Sequence, residues 1–300
     1  MSEVKAMMLV EPRRLAATRL PARTVERGGW LAVEATGLSG SEVQAWRGDR
    51  RNLVYPLIPG QQVVGRIADA FDDSITLPIG TRVLVEPIIR CKTCVQCVRG
   101  LASCSYRKPL NAYGALPSTE PPGLWGGLAE RLYLDPDAIL HPISDDTLAE
   151  VATFAHSLAA GYTWSVEAPK MQPGERVLIL GPGPRGLACL LAAQAAGAEW
   201  IGITGLDHDA DRLELARQLG ANLAVNVTED DLGFAVANSL GTRPDIVIDV
   251  TSDDPEAVYT GLDMVRSGGR LVLASTKGNR PLGQFFSDVI VGKQISIIGA

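Results

Sequence analysis

The sequence predicts a two-domain fold of the α/β plus β class, with a β-rich first half (residues 1–150) and an alternating strand–helix second half (residues 151–300). Three observations carry it. Short runs bounded by Gly and Pro, rich in β-branched and apolar residues, recur through the first half. From residue 175 apolar strands alternate with helical segments, which specifies βαβ units, a parallel sheet and right-handed crossovers. A G-x-G-x-x-G stands at the first of these strand-to-helix turns.

Taken in order, the strand segments of the first half are LAVEATGLSG, QQVVGRIADA, TRVLVEPII and GLAERLYLD, which suit a compact antiparallel domain. A helical stretch, LAEVATFAHSLAAGYTWSVEA, follows near residue 150. The second half then runs as strand ERVLIL, helix LACLLAAQAAGA, strand WIGIT, helix DRLELARQLGA and strand LAVNV. The segment DLGFAVANSLG, strand DIVIDV, a helix around EAVYTGLDMV and the strands RLVLAS and QISIIGA complete it. No internal repeat or low-complexity linker interrupts the pattern.

Composition excludes several classes. Hydrophobic residues make up 46% and charged residues 21%, as in ordinary globular chains. No apolar run approaches the roughly 18 residues of a membrane helix, and the N-terminus lacks a basic-then-apolar signal segment. We therefore expect a cytoplasmic protein without a membrane partner. A net charge of −6 argues against nucleic acid as a main partner, because phosphate binding needs clustered Lys and Arg. Arg13, Arg14, Arg19, Arg23 and Arg27 are spread among apolar and acidic residues and read as solvated surface.

Gly181, Gly183 and Gly186 form the glycine motif, directly after the strand Val177–Leu180 and opening a helix. In that context the first Gly permits the tight turn, the second lets backbone N–H groups approach a pyrophosphate, and the third lets helix and strand pack closely. Pro184 and Arg185 lie inside the loop; Arg185 points either to phosphate or to solvent. The ribose-contact position about 20 residues further on falls on Gly205 counted from the strand, or on Asp207 counted back from the helix. Asp207, Asp209 and Asp211 precede Arg212 without a Lys or Arg between them, which leans toward NAD over NADP.

Four of five cysteines, Cys91, Cys94, Cys97 and Cys104, form C-x2-C-x2-C-x6-C. In a reducing compartment this spacing reads as a metal site; four thiolates close a tetrahedral shell and leave no open position, so the site is structural. An iron–sulfur cluster or redox thiols are the rival readings. Cys189, in an apolar helical run, reads as core.

The β-rich half, the four-cysteine lobe and the nucleotide-binding half together resemble the medium-chain dehydrogenase/reductase superfamily of the zinc-containing alcohol dehydrogenase type. EATGLSGSE is similar to its E-x-x-G-[IV]-C-G-S-D segment and IPGQQVVGRI to its PGHE-x-x-G-x-V segment. The resemblance implies a GroES-like catalytic domain followed by a Rossmann dinucleotide-binding domain, with one structural zinc on the four cysteines. It also implies a small-molecule substrate (an alcohol, carbonyl or activated alkene) and a homodimer or homotetramer. Three departures follow from it. The family's first catalytic zinc ligand is Ser39, its second is Gln61 with Gln62 beside it, and a further ligand position falls near His156. A hydroxyl and two amides replace thiolate, imidazole and carboxylate, so the catalytic zinc is expected to be absent. By the family pattern Ser41 is the proton-relaying hydroxyl, and Ser39, Gln61, Gln62 and His156 line the same cleft. His156 alone among them titrates near neutral pH and is the candidate acid/base. The alternative for Ser39 and Ser41 is turn chemistry in a Gly-rich loop, and for His156 a satisfied residue of an apolar helix. Trp46, Tyr55, Tyr113 and Trp125 read as cleft or core alike. Relatives continue several dozen residues beyond a strand resembling QISIIGA and return to the first domain; here that return is expected to be missing. A catalytically silent dinucleotide-binding relative is the alternative function.

Overall fold

The computed structural model describes residues 3–50, 52–101, 104, 111–252, 254–283 and 285–300. Contacts divide the chain into two units, Met1–His156 and Ser157–Ala300.

Among the described residues, the first unit opens with an antiparallel hairpin of β1 (Glu3–Glu11) and β2 (Arg14–Pro21). Val4, Ala6 and Leu9 are buried while Glu3, Lys5 and Met7 are exposed, largely the two-residue period of a strand with one wet face. A second antiparallel sheet follows, built from β3 (Gly29–Gly37), β4 (Gln62–Ala70), β5 (Arg82–Val85), β6 (Arg131–Leu134) and β7 (Leu140–Pro142), in the order β6-β3-β4-β5-β7. Leu31, Val63, Ile67, Val83, Leu132 and Leu134 fill its core, joined by Tyr113 and Trp125, which settles those two aromatics as packing residues. Each fully buried aliphatic or aromatic side chain there contributes about 1.5–3 kcal/mol relative to exposure. Short helices α1 (Gly40–Arg47), α2 (Val95–Val98) and α3 (Ala149–Ala152) decorate the unit. The first of these places Ser39 and Ser41 at a helix N-terminus, where the alternative reading had a Gly-rich turn.

The second unit contains most of α4 (Ala155–Tyr162), which runs into a π-helical turn at Thr163–Glu167. It continues with β8 (Arg176–Leu180), α5 (Pro184–Ala195), β9 (Trp200–Gly205), α6 (Ala210–Gln218), β10 (Leu223–Asn226) and α7 (Leu232–Leu240). The remaining elements are β11 (Ile246–Asp249), α8 (Glu256–Met264), β12 (Arg270–Leu273), α9 (Asp288–Lys293) and β13 (Ser296–Gly299). All strands are parallel, in the order β10-β9-β8-β11-β12-β13. Successive side chains of a strand point to opposite faces. Val177 and Ile179 accordingly join Leu190, Ile203, Leu213 and Ile248 in one core, while Leu178 and Leu180 join Val247, Val258, Leu262 and Leu271 in the other. Burial on both faces explains why these strands read as unbroken apolar runs. Cys189 is fully buried and burial pushes its thiol up to about 12, as a core role requires.

Candidate functional site

The strand order of the second unit reverses between β8 and β11, and their paired ends are Leu180 and Asp249. In an open α/β sheet that crevice beyond the carboxyl ends is where ligands bind. The glycine loop lies there. Gly181 takes φ +105°, a left-handed conformation that disfavours a side chain. At Gly186 a Cβ would stand 1.9 Å from the Gly181 carbonyl oxygen, so glycine is required for the helix to close on the strand. At Gly183 a Cβ would meet nothing among the described residues within 4 Å, and the residue lines the crevice. Pro184 occupies the first helical position of α5, where a missing N–H costs nothing. The first turn of a helix leaves amides without an intrahelical acceptor, the usual cradle for an anion. Arg185 does not project to open solvent: its guanidinium lies 5.3 Å from the ring centroid of Trp164 on the π-helical turn.

The crevice encloses about 690 Å³ and is lined by the loop, by Thr204 to Leu206, by His208, Asp209 and Arg212, and by Val250 to Ser252 and Asp254. Gly205 is there for space, since a Cβ would come 2.8 Å from Pro182 Cγ and push the loop away. Asp207 does not line the crevice; it is exposed and accepts a hydrogen bond from Asn226 Nδ2 at 2.8 Å. The carboxylate that does is Asp209, which is buried, accepts from the Leu206 amide at 3.3 Å and pairs with Arg212 at 2.7 Å. A single 3₁₀ turn over Asp207–Asp209 separates the two, and counting along the sequence passes over such a turn. Asp230 and Asp231 also border the crevice.

In the first unit the four cysteine sulfurs all lie within 4.8 Å of one another, and Cys91 Sγ and Cys97 Sγ are 3.8 Å apart. A tetrahedral shell with metal–sulfur bonds of about 2.3 Å requires about 3.8 Å between sulfurs. Lys92 takes φ +62°, and the turn it makes aims the Cys94 amide at Cys91 Sγ (3.3 Å), while the Cys97 amide donates to Cys94 Sγ (3.5 Å). Burial, then the neighbouring Cys94 and Cys104, pushes the Cys97 thiol up to about 12. Among the described residues this is the one place where three or more His, Cys, Asp or Glu ligand atoms gather.

Ser39 caps the N-terminus of α1 and forms a capping box with Glu42. The Ser39 amide and hydroxyl donate to Glu42 Oε2 at 2.8 and 2.7 Å, and the Ser41 hydroxyl reaches the same oxygen at 3.2 Å. The two hydroxyl oxygens are 2.7 Å apart. Glu42, which sequence reasoning passed over, is therefore the hub of this cluster and is itself buried. The signal for it was present as S-x-x-E at a helix start, Ser39 to Glu42. Gln62 is buried at the start of β4 directly opposite Gly37 on β3, and a Cβ at Gly37 would stand 2.5 Å from Gln62 Oε1 and 3.2 Å from Thr153 Oγ1. Thr153 thus brings the chain leading to His156 to the same end of β3. His156 is half-buried at the second position of α4. Gln61 is half-buried against Gly114. Tyr55 donates to the Ala45 carbonyl at 2.7 Å, and Trp46 is exposed. No helix among the described residues is long and apolar enough to cross a membrane.

Comparison with known proteins gives a consistent picture. Residues 30–145 match the model of the alcohol dehydrogenase GroES-like domain, and residues 184–300 that of the zinc-binding dehydrogenase. The chain is 38% identical to a probable alcohol dehydrogenase of Mycobacterium tuberculosis, over 99% of this chain and 83% of that protein. It is 28% identical to the erythritol/L-threitol dehydrogenase of Mycolicibacterium smegmatis, over 90% and 75% respectively. It also superposes on an alcohol dehydrogenase structure from Thermotoga maritima with a TM-score of 0.88 at 25% identity, covering all of this chain and 85% of that one.

Proposed function

The chain belongs to the medium-chain dehydrogenase/reductase superfamily, of the zinc-type alcohol dehydrogenase kind, and is an oxidoreductase; on that premise we propose that it moves hydride between a nicotinamide dinucleotide and a small alcohol, carbonyl or activated alkene without a catalytic zinc. The observation that carries this reading is the glycine loop at the strand reversal, with Gly183 open to the crevice and Gly186 closed against Gly181. The nicotinamide, when bound, supplies the hydride chemistry. The chain's part is to hold the dinucleotide on the amides at the start of α5 and to give hydrogen bonds to the substrate oxygen. Ser41 is the first candidate for that, with Ser39, Gln61, Gln62 and His156 in support. Asp209, Asp230, Asp231 and Asp254 border the crevice, and Arg212 is already paired with Asp209, so the field repels a 2′-phosphate and favours NAD. A catalytic zinc is left out because the replaced positions offer one imidazole, amides and hydroxyls, a poor donor set. Cys91, Cys94, Cys97 and Cys104 fit one structural zinc by their sulfur spacing. The exposed edge strand β13 supports a homodimer or homotetramer.

The test couples metal content to turnover. One zinc per chain, NADH binding tighter than NADPH, and NADH oxidation with at least one member of a carbonyl panel are expected. Two zinc ions per chain, one of them lost in Gln61→Ala or His156→Ala, would restore a metal-dependent mechanism. Iron or no metal would overturn the structural-zinc assignment. A second reading, a silent dinucleotide-binding relative, is favoured by one observation: both serine hydroxyls are engaged with Glu42. NADH binding without turnover on any substrate selects it.

A further inference from the structure

Beside the glycine loop stands a buried ion pair that neither the motif nor the family match assigns. Asp249, at the end of β11, is fully buried. Lys277, in the segment after β12, places Nζ 2.8 Å from Asp249 Oδ2 and 3.0 Å from Oδ1. The same ammonium donates to the hydroxyl oxygen of Thr251 at 2.8 Å and to its carbonyl. Thr251 closes the knot, donating its amide to Asp249 Oδ1 at 3.0 Å and its hydroxyl at 2.6 Å. Both the carbonyl and the side chain of Thr251 are thereby fixed by one lysine.

Where that residue stands gives the pair its meaning. Asp249 is the register partner of Leu180, which leads into the glycine loop, and of Leu273, which leads toward Lys277. A Cβ at Gly181 would come 3.2 Å from Thr251 Cγ2, so Thr251 abuts the first glycine. Val250, Thr251 and Ser252 form the wall of the crevice on the β11 side. A buried ion pair adds little net stability compared with apolar packing, because both charges lose water. It does fix geometry. A dinucleotide lies across the strand reversal with one mononucleotide on each half of the sheet. By that rule the adenosine half would lie toward β8-β9-β10, beside the carboxylate Asp209, and the nicotinamide half toward β11-β12-β13; Thr251 borders the crevice from the β11 side.

We infer that Lys277 is a positioning residue: with Asp249 it holds Thr251 as the wall against which the nicotinamide half of the dinucleotide is seated. This rests on the dinucleotide reading above and adds to it which residues set the seat.

The experiment compares two probes on the full chain, NADH for the whole ligand and AMP for the adenosine half, by fluorescence and calorimetry. Lys277→Gln is expected to weaken NADH binding by about tenfold or more, the loss of a charge-assisted contact that orders the site, and to leave AMP within about twofold. Lys277→Arg, which keeps the cation, is expected to recover most of the NADH affinity. If Lys277→Gln fails to fold, the paired variant Asp249→Asn with Lys277→Gln carries no buried charge and takes the same comparison. Unchanged NADH affinity in a folded variant overturns the inference. So does a parallel loss of AMP and NADH, which would mean general loosening of the unit. A wild-type chain that binds neither probe overturns the dinucleotide reading itself, and this inference with it.

Discussion

The three glycines of the loop are glycines for different reasons, and substitution separates them. Gly186→Ala drives a methyl into the Gly181 carbonyl and is expected to cost about 2–4 kcal/mol of stability, at or above the usual range for overpacking. Gly183→Ala meets no neighbour among the described residues, so stability in urea is expected to hold within about 0.5 kcal/mol while NADH affinity falls about tenfold. Equal destabilisation by both would contradict the geometry. The contrast also marks what was readable at this scale. The spacing of Gly181, Gly183 and Gly186 and of the four cysteines is local, so it survives in one dimension. The choice between Asp207 and Asp209 depends on one 3₁₀ turn, and Lys277 meets Asp249 across 28 positions, which no local pattern encodes.

At the scale of elements, strand–helix alternation in the second half was legible because each strand is buried on both faces and each helix follows its own period. The hairpin of β1 and β2 was not, since β2 leaves no residue fully buried and its polar and basic residues obscure alternation. α9 was missed for a related reason: it is short and buries none of its residues, yet its last residue closes another helix. Lys293 Nζ donates to the carbonyls of Leu262, Asp263 and Val265 at 2.7, 2.7 and 3.2 Å, satisfying the end of α8. Lys293→Met is expected to lower stability by about 1–2 kcal/mol in chemical denaturation, as for loss of a charged cap. In the first unit Asp72 ties the loop after β4 to Gly28, ahead of β3, accepting from Ser74 and from the Gly28 amide and pairing with Arg27. Those hydrogen bonds, the Ser74 hydroxyl first, hold its carboxyl well below the ordinary 3.8. A depressed carboxylate stabilises the fold fully above its unfolded value and less as pH falls through that value toward the folded one. The stability gap between wild type and Asp72→Asn is therefore expected to be widest near neutral pH and to narrow below about pH 4. A gap that grows on acidification would refute the assignment.

For the whole molecule, both fold units were legible because their hydrophobic periods differ, two residues in one half and alternating strand–helix in the other. The candidate substrate site was only partly so: Ser39, Ser41, Gln61, Gln62 and His156 came from likeness to a family, whereas Glu42 emerges as the hub of the two serines only in three dimensions. The four-cysteine lobe and the glycine loop belong to separate units, Met1–His156 and Ser157–Ala300. Stripping the metal with a thiol-reactive chelator under mild conditions is expected to lower the thermal midpoint of the first unit, since metal binding and folding of a cysteine lobe are coupled. NADH should still raise the transition of the second unit by mass action. Calorimetry that shows the NADH shift vanishing with the metal would join what the contacts divide.

Gly183 has an implication for descent as well. The fold itself holds Gly181 by its left-handed backbone and Gly186 by a carbonyl 1.9 Å away, so any folded descendant must keep them. No described residue holds Gly183, whose extended backbone any residue adopts. Only a ligand pressing on that turn selects for glycine there. In lineages that stop binding dinucleotide, this position should drift first while its two neighbours stay, leaving a one-letter record of when the crevice fell out of use.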